Sequence, residues 1–276
     1  MHYRHAYHAG NFADVFKHLL MLAALQALSR KDKPWCFTDT HAGAGAYALR
    51  RGTPAAEGPA AEWEAGIGRL WDKSPRDPLL ADYLEAVRAF AGEVPVPARY
   101  PGSPWLAARL ARPGDRIVAC EKLPEIAAEL RYTVAQAKVL NRDGYEMAAA
   151  LPPKERRGLV LVDPPFERPD EFDAARAFIT AAAARYAGGV FALWYPLKNP
   201  HAADHALRCL ARDTRGLLLD SRFDVGSEGD GRMHACGMAV LNPPYQFAET
   251  VQPALTELAG VFGPRARVTL GTVAAP

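Results

Sequence analysis

Asp163 closes the run Gly158-Leu-Val-Leu-Val-Asp163-Pro164-Pro165-Phe166, a setting suited to chemistry on an exocyclic aromatic amine. Such a nitrogen is a poor nucleophile because its lone pair is delocalised into the ring. A carboxylate and the neighbouring Pro164 carbonyl can accept its two N–H bonds and draw it toward a tetrahedral shape. That frees the lone pair for in-line attack on a methyl sulfonium. Phe166 then offers a face on which a base can stack. The pattern is short, and in a chain with 23 prolines it also reads as a strand ending in a turn. Its surroundings have to decide.

The residues before Asp163 are apolar, Val160 and Val162 β-branched among them, as in a strand buried on both faces, and the prolines forbid further pairing. In open parallel sheets the carboxyl ends of the strands are where ligands gather. Other candidates fall at comparable positions. Residues 34–39 predict a buried strand running into Thr40-His41-Ala42-Gly43-Ala44-Gly45, a glycine-rich turn expected to open a helix. The turn lacks the third glycine of a dinucleotide site, which argues against a nicotinamide dehydrogenase. Residues 117–121 predict a strand ending on Glu121, a carboxylate suited to ribose hydroxyls. Asn141-Arg142-Asp143-Gly144 ends another, with Asp143 placed for an adenine amino group. Further β segments are expected at 189–196, 217–220, 236–241 and 267–273. Ser103 reads as a helix N-cap, with Pro104 in the first helical position.

A dinucleotide-type unit reaches its next acidic strand end about 20 residues after the glycines; here Glu121 follows Gly45 by 76 residues. The excess predicts a helical insertion at 52–99, with helices near 61–71 and 79–90 between proline-rich joints. Residues 1–51 and 100–276 then form one α/β domain. The first 18 residues interleave aromatic, basic and imidazole side chains (Tyr3, Arg4, His5, Tyr7, His8, Lys17, His18), as a nucleic-acid and cofactor lip would. His5 and His8 lack a Cys or acidic partner at ligand spacing, and His201 and His205 lack the Glu of a zinc-protease helix, so no metal is expected. Asn242-Pro243-Pro244-Tyr245 also ends an apolar strand. It lies on strands added after the sheet core, and an antiparallel strand would carry its end away from the crevice.

With 276 residues, 49% of them hydrophobic, the chain can bury a sizeable core. A net charge of +2 does not announce a nucleic-acid binder, so any basic footprint has to be local. Cys36, Cys120, Cys209 and Cys236 are scattered and read as reduced thiols of a cytoplasmic protein. No run is expected to span a membrane, and no export signal is visible.

Taken together, Tyr3-Arg-His, His8-Ala-Gly-Asn, Lys17-His18, Asp39-Thr-His-Ala-Gly-Ala-Gly45, Tyr100-Pro-Gly-Ser-Pro104, Asp163-Pro-Pro-Phe166 and Leu193-Trp-Tyr-Pro196 resemble the RlmJ-type ribosomal RNA methyltransferases. The likeness runs the length of the chain. It implies a Rossmann-like class I methyltransferase fold with a seven-stranded, mostly parallel sheet. It also implies S-adenosylmethionine as methyl donor and an adenine N6 of 23S rRNA as acceptor, in a monomeric cytoplasmic enzyme. By position, cofactor contacts would fall on His18, His41, Ser103, Glu121, Asp143, Gly144 and Asp163. Asp163 would be catalytic, with Tyr3, His5 and Lys17 near the substrate base. Phe166 departs from the Tyr common in the family, which keeps stacking and loses a phenol; Phe12 stands where a relative has His. The rival readings are a DNA adenine methyltransferase with the same core, a protein glutamine methyltransferase acting through Asn242, and an RNA-binding module without turnover.

Overall fold

The structure is a computed structural model and describes residues 7–49, 62–92, 94–226, 229 and 231–275. Tyr3 and His5 lie outside the described residues, as do residues 50–61 of the expected insertion and its boundary. Eight strands form one sheet in the order β10-β8-β9-β7-β6-β1-β4-β5. The strands are β1 (Cys36–Asp39), β4 (Arg116–Glu121), β5 (Lys138–Asn141), β6 (Gly158–Val162), β7 (Val190–Pro196), β8 (Leu218–Asp224), β9 (Ala235–Leu241) and β10 (Arg267–Thr272). From β5 to β7 all pairings are parallel. β9 runs antiparallel between β7 and β8, and β10 is antiparallel to β8. The expected count of seven is therefore one short, because the last segment adds an edge strand.

Each central strand supplies both faces of the sheet. Phe37, Ile117, Leu159, Leu161 and Phe223 face one side, whereas Val118, Val160, Val162, Leu193 and Tyr195 face the other. The first side is covered by α1 (Phe12–Ser29), α3 (Ser103–Leu110) and α7 (Phe247–Phe262), the second by α5 (Glu171–Arg185) and α6 (Pro200–Thr214). α4 (Pro124–Thr133) joins β4 to β5.

α1 starts where the Asn11 side chain accepts from the amides of Ala13 and Asp14, satisfying two otherwise orphaned donors. It packs against β6, β9, α3, α7 and α2 (Pro78–Ala91), so it is apolar nearly all round. Against expectation it reaches the length and hydropathy of a membrane span, but 83% of that window is buried inside the fold. Leu19, Leu20 and Leu25 are fully buried, and truncating any one to Ala would cost about 2–5 kcal/mol.

The glycine turn does not lead into a helix. It is followed by β2 (Ala46–Ala48), which pairs antiparallel with β3 (Arg99–Pro101), bringing together the two ends of the segment expected as an insertion. The Gly102 amide donates to Gly45 O at 2.9 Å, so the chain returns to the turn it left and only then starts α3. Of the two helices expected in the insertion, α2 is present. Residues 62–71 instead form turns and a 3₁₀ segment, Ile67–Arg69. Two glycines break that stretch, and a Cβ on Gly66 would come within 2.1 Å of Gly10 O.

Candidate active site

The parallel strands end side by side, and each end supplies polar groups. Asp39 ends β1, Glu121 ends β4, Asp143 and Gly144 follow β5, and Asp163 follows β6. Buried apolar residues leave these ends no freedom to slide, because a one-residue slip would turn every side chain to the opposite face.

Asp163 is held by the first helix. Lys17 Nζ donates to Asp163 Oδ2 at 2.6 Å and to Asp14 Oδ1 at 2.8 Å, and Asp14 Oδ2 accepts the Gly10 amide at 3.0 Å. Lys17 is nearly inaccessible, its side chain only 5% exposed. Burial pulls its pKa down, but Asp14 and Asp163 outweigh that and hold the ammonium well above the ordinary lysine range. Removing either carboxylate's counter-charge would be costly in such a place. Among the described residues Asp163 Oδ1 has no hydrogen-bond partner. One oxygen is fixed by a cation, and the other is left to accept.

Phe166 takes a positive φ of 49° after the two prolines. Its ring packs edge-on against Phe172 and Trp194, with centroids 4.9 and 6.1 Å away. Pro164 is buried beside it.

The neighbouring end of β1 is drier and more tightly knit. Asp39 is fully buried and accepts from Ser103 Oγ at 2.6 Å and from the His41 amide at 3.1 Å. Burial raises its pKa to about 6; the Ser103 hydrogen bond opposes this and the charge of Asp163 adds to it. Ser103 is therefore not a cap: Gly102 takes that position, and Ser103 stands in the first turn and tethers α3 to β1. Burial lowers the pKa of His41 to about 4 despite the nearby charges of Asp163 and Asp143, so its ring is neutral. That ring sits 2.8 Å from Thr40 Oγ1 and edge-on to Tyr145 at 5.0 Å.

Glu121 accepts the Gly43 amide at 3.2 Å and the Leu123 amide at 2.8 Å, tying the glycine turn to β4. Gly43 has φ +60° and Gly45 +76°, conformations open to glycine. Asp143 caps the following 3₁₀ segment through Tyr145 N at 3.0 Å and pairs with Lys122 at 3.2 Å. Gly144 is required by contact: a Cβ there would lie 1.9 Å from Thr40 O. His18 is buried, 2.9 Å from the Tyr100 hydroxyl and stacked on that ring, with Tyr83 OH a further 2.9 Å on. Near the helix start, His8 Nδ1 and Asn11 Nδ2 both reach Glu62 Oε2, at 2.9 and 3.0 Å.

Lys17, His41, Glu121, Asp143, Gly144 and Asp163 thus share one edge of the sheet with Ser103, while His18 belongs to a tyrosine network behind it. Asp14 and Asp39 complete the edge and are missing from the sequence reading. Asp39 could have been found by the rule that found the others, since it is an acid at the end of a buried strand. Asp14 carries only the three-residue spacing to Lys17.

Asn242 is elsewhere. Leu241 pairs with Phe191, near the start of β7, and the Asn242 amide donates to Ala187 O and Gly189 O, both at 3.0 Å. It belongs to the opposite end of the sheet, which removes the glutamine-methyltransferase reading.

The donor set fits S-adenosylmethionine. Carboxylates at adjacent strand ends suit ribose hydroxyls, an amino group and a cationic sulfonium, whereas a pyrophosphate would be repelled. The fold is that of a class I, S-adenosylmethionine-dependent methyltransferase. A crystal structure of a Legionella pneumophila protein matches with a TM-score of 0.84 at 29% identity, covering 96% of this chain and 98% of that one. A probable spermidine synthase from Corynebacterium glutamicum shares the fold at a TM-score of 0.52 and 12% identity, over 94% and 75% of the two chains.

Residues 32–270 match the family described as "Ribosomal RNA large subunit methyltransferase D, RlmJ", and the chain belongs to it. The Ribosomal RNA large subunit methyltransferase J of Haemophilus influenzae is 34% identical over 95% of this chain and 94% of its own. That of Escherichia coli is 36% identical over 92% and 91%.

Proposed function

We propose that the chain methylates the N6 amine of an adenine in 23S rRNA, in the cytoplasm and as a monomer. The observation that carries the chemistry is Asp163, with Oδ2 fixed by Lys17 and Oδ1 open at the end of β6. S-adenosylmethionine, when bound, supplies an electrophilic methyl group on a sulfonium. Glu121, Asp143, Gly144, His41 and Ser103 line or brace its cradle. Asp163 Oδ1 and the Pro164 carbonyl hold the two amine hydrogens and draw the nitrogen's lone pair out of conjugation. Phe166 stacks the extruded base, and the family resemblance assigns Tyr3 and His5 to the substrate as well. Lys17 keeps the carboxylate from rotating away, so orientation is set before substrate arrives. The neutral ring of His41 adds no positive charge beside a cationic donor.

Purified protein offered labelled S-adenosylmethionine with naked 23S rRNA or duplex DNA tests this reading. Label is expected in rRNA, and nuclease digestion should release it as N6-methyladenosine. Preference for DNA, or label on another base, would overturn it.

A further inference from the structure

Three loops meet at the amino-terminal end of the parallel strands, away from the site: 29–35 before β1, 111–116 before β4 and 153–158 before β6. They form one surface. Arg112 Nη1 donates to Ser29 O and Lys31 O at 3.0 and 3.1 Å, and Arg157 Nη1 to Lys33 O at 2.9 Å. Arg116 Nη2 pairs with Glu155 at 2.8 Å.

These loops carry eight Lys or Arg against three Asp or Glu. The whole chain is only +2, so everything outside them is net acidic. Two of the three acids face inward: Asp115 is taken by Arg112 and the Trp35 amide, and Glu155 by Arg116. Arg30, Lys31, Lys33, Lys154 and Arg156 remain exposed. Of these five, Lys154 alone has a carboxylate within ion-pair range among the described residues, Glu155 at 4.0 Å. The rim of the site is more evenly matched, with Lys198 past the end of β7 exposed and outside ion-pair range of an acid among the described residues. There Lys122, Arg142 and Arg168 are each matched by an acid, at 3.2, 2.7 and 2.8 Å.

RNA affinity comes largely from phosphates neutralised by Lys and Arg, while base contacts select the target. The site selects, but its carboxylates and mostly matched cations offer phosphates less. The opposite end offers uncompensated charge on a rigid frame of arginine-to-carbonyl bonds. Resting on the rRNA reading above, we propose that this basic pole is a second RNA-binding surface. It holds the phosphate backbone of a segment distant from the target adenine.

The test is the fourfold variant Lys31→Gln, Lys33→Gln, Lys154→Gln and Arg156→Gln, all exposed positions. It is compared with wild type on a long 23S rRNA fragment and on a short hairpin containing the target adenine. For the long fragment, Kd at low salt should rise at least ~10-fold, and the log–log salt slope should shrink by ~3 for four lost phosphate contacts. Hairpin Kd and kcat on saturating RNA should hold, and arginines at the three lysine positions, with Arg156 kept, should retain wild-type affinity. Unchanged long-fragment Kd and slope would overturn the proposal, as would an equal loss on the hairpin. The readout is binding, so it separates two failures. A wild type that held the fragment through these cations without methylating it would keep the surface and remove the proposed function.

Discussion

Asp163-Pro164-Pro165-Phe166 and Asn242-Pro243-Pro244-Tyr245 are nearly the same tetrapeptide, each closing an apolar strand of one sheet, yet they lie at opposite ends of it. The difference is strand direction. β6 runs parallel to its neighbours and delivers its acid to the edge where Glu121 and Asp143 also arrive. β9 runs antiparallel and delivers its amide to the Ala187–Gly189 turn, where it satisfies two carbonyls. Tyr245 is 83% exposed there, whereas Phe166 packs on two aromatic rings. A short motif earns its chemistry from the company its strand end keeps.

Substitution can break that contrast most sharply at the two head residues. Asp163→Ala is expected to lower kcat about 10³-fold, as loss of a group aimed at the reacting centre does. S-adenosylmethionine affinity by calorimetry should stay within a few-fold. Asn242→Ala should leave kcat alone and lose about 1–2 kcal/mol of stability with its two hydrogen bonds. The reverse pattern of kinetics would exchange the roles of the two motifs.

The next largest effect belongs to Lys17, for which the Asn242 end has no counterpart. Lys17→Met leaves Asp14 and Asp163 buried without their shared cation, at a cost of about 3 kcal/mol. Urea unfolding reads this directly, and a variant as stable as wild type would show that the ion triad is solvated.

The aromatic pair sharpens the comparison at lower stakes. Phe166→Ala should raise KM for RNA roughly 10-fold, within the ~1–3 kcal/mol of a base–aromatic stack. Tyr245→Ala should change neither KM nor kcat. Equal effects at both positions would deny Phe166 its stacking role.

The remaining effects are in the pH dependence of stability, and they have opposite signs. His41 titrates near 4, below an unfolded imidazole. Between about pH 6.5 and 4 the unfolded chain therefore binds a proton the native chain refuses, and stability is lost as the pH is lowered through that range. Asp39 titrates near 6, above an unfolded carboxyl. The native chain holds that proton, so Asp39's contribution is present at low pH and is lost as pH rises through 6. In urea titrations from pH 4 to 7, His41→Gln should flatten the acid loss and Asp39→Asn should steepen the gain toward neutrality. Profiles that superimpose on wild type would mean these strand ends are wetter than their burial implies.

The comparison also marks what sequence can convey. β1, β4, β6 and β7 are legible as apolar runs, because strands covered on both faces have little choice of residue. Glu121, Asp143 and Asp163 are legible as acids closing such runs. The surplus length between Gly45 and Glu121 is legible, but the fine structure of that stretch is not. Residues 62–71 turn rather than coil into an α-helix because backbone approaches backbone at Gly66, a long-range fact. Ser103 has the residue type of a cap and serves instead as a tether to Asp39, 64 positions away. The eighth strand is visible as a β segment, but its place beside β8 depends on pairing with an antiparallel late element.

α1 is made before the elements that enclose it. Its packing partners include β9 and α7, which leave the ribosome long after it does. Until they arrive, a nascent chain displays an 18-residue greasy cylinder, the kind of surface that chaperones hold and that drives aggregation. Lys17 rides on that cylinder and meets Asp163 only when the sheet has formed beneath it, so catalytic competence is deferred until β6 is in place. Ribosome-bound chains stalled before α7 should bind a hydrophobic dye and lose that binding once α7 is released; stalled chains that stay dark would show that α1 finds cover earlier.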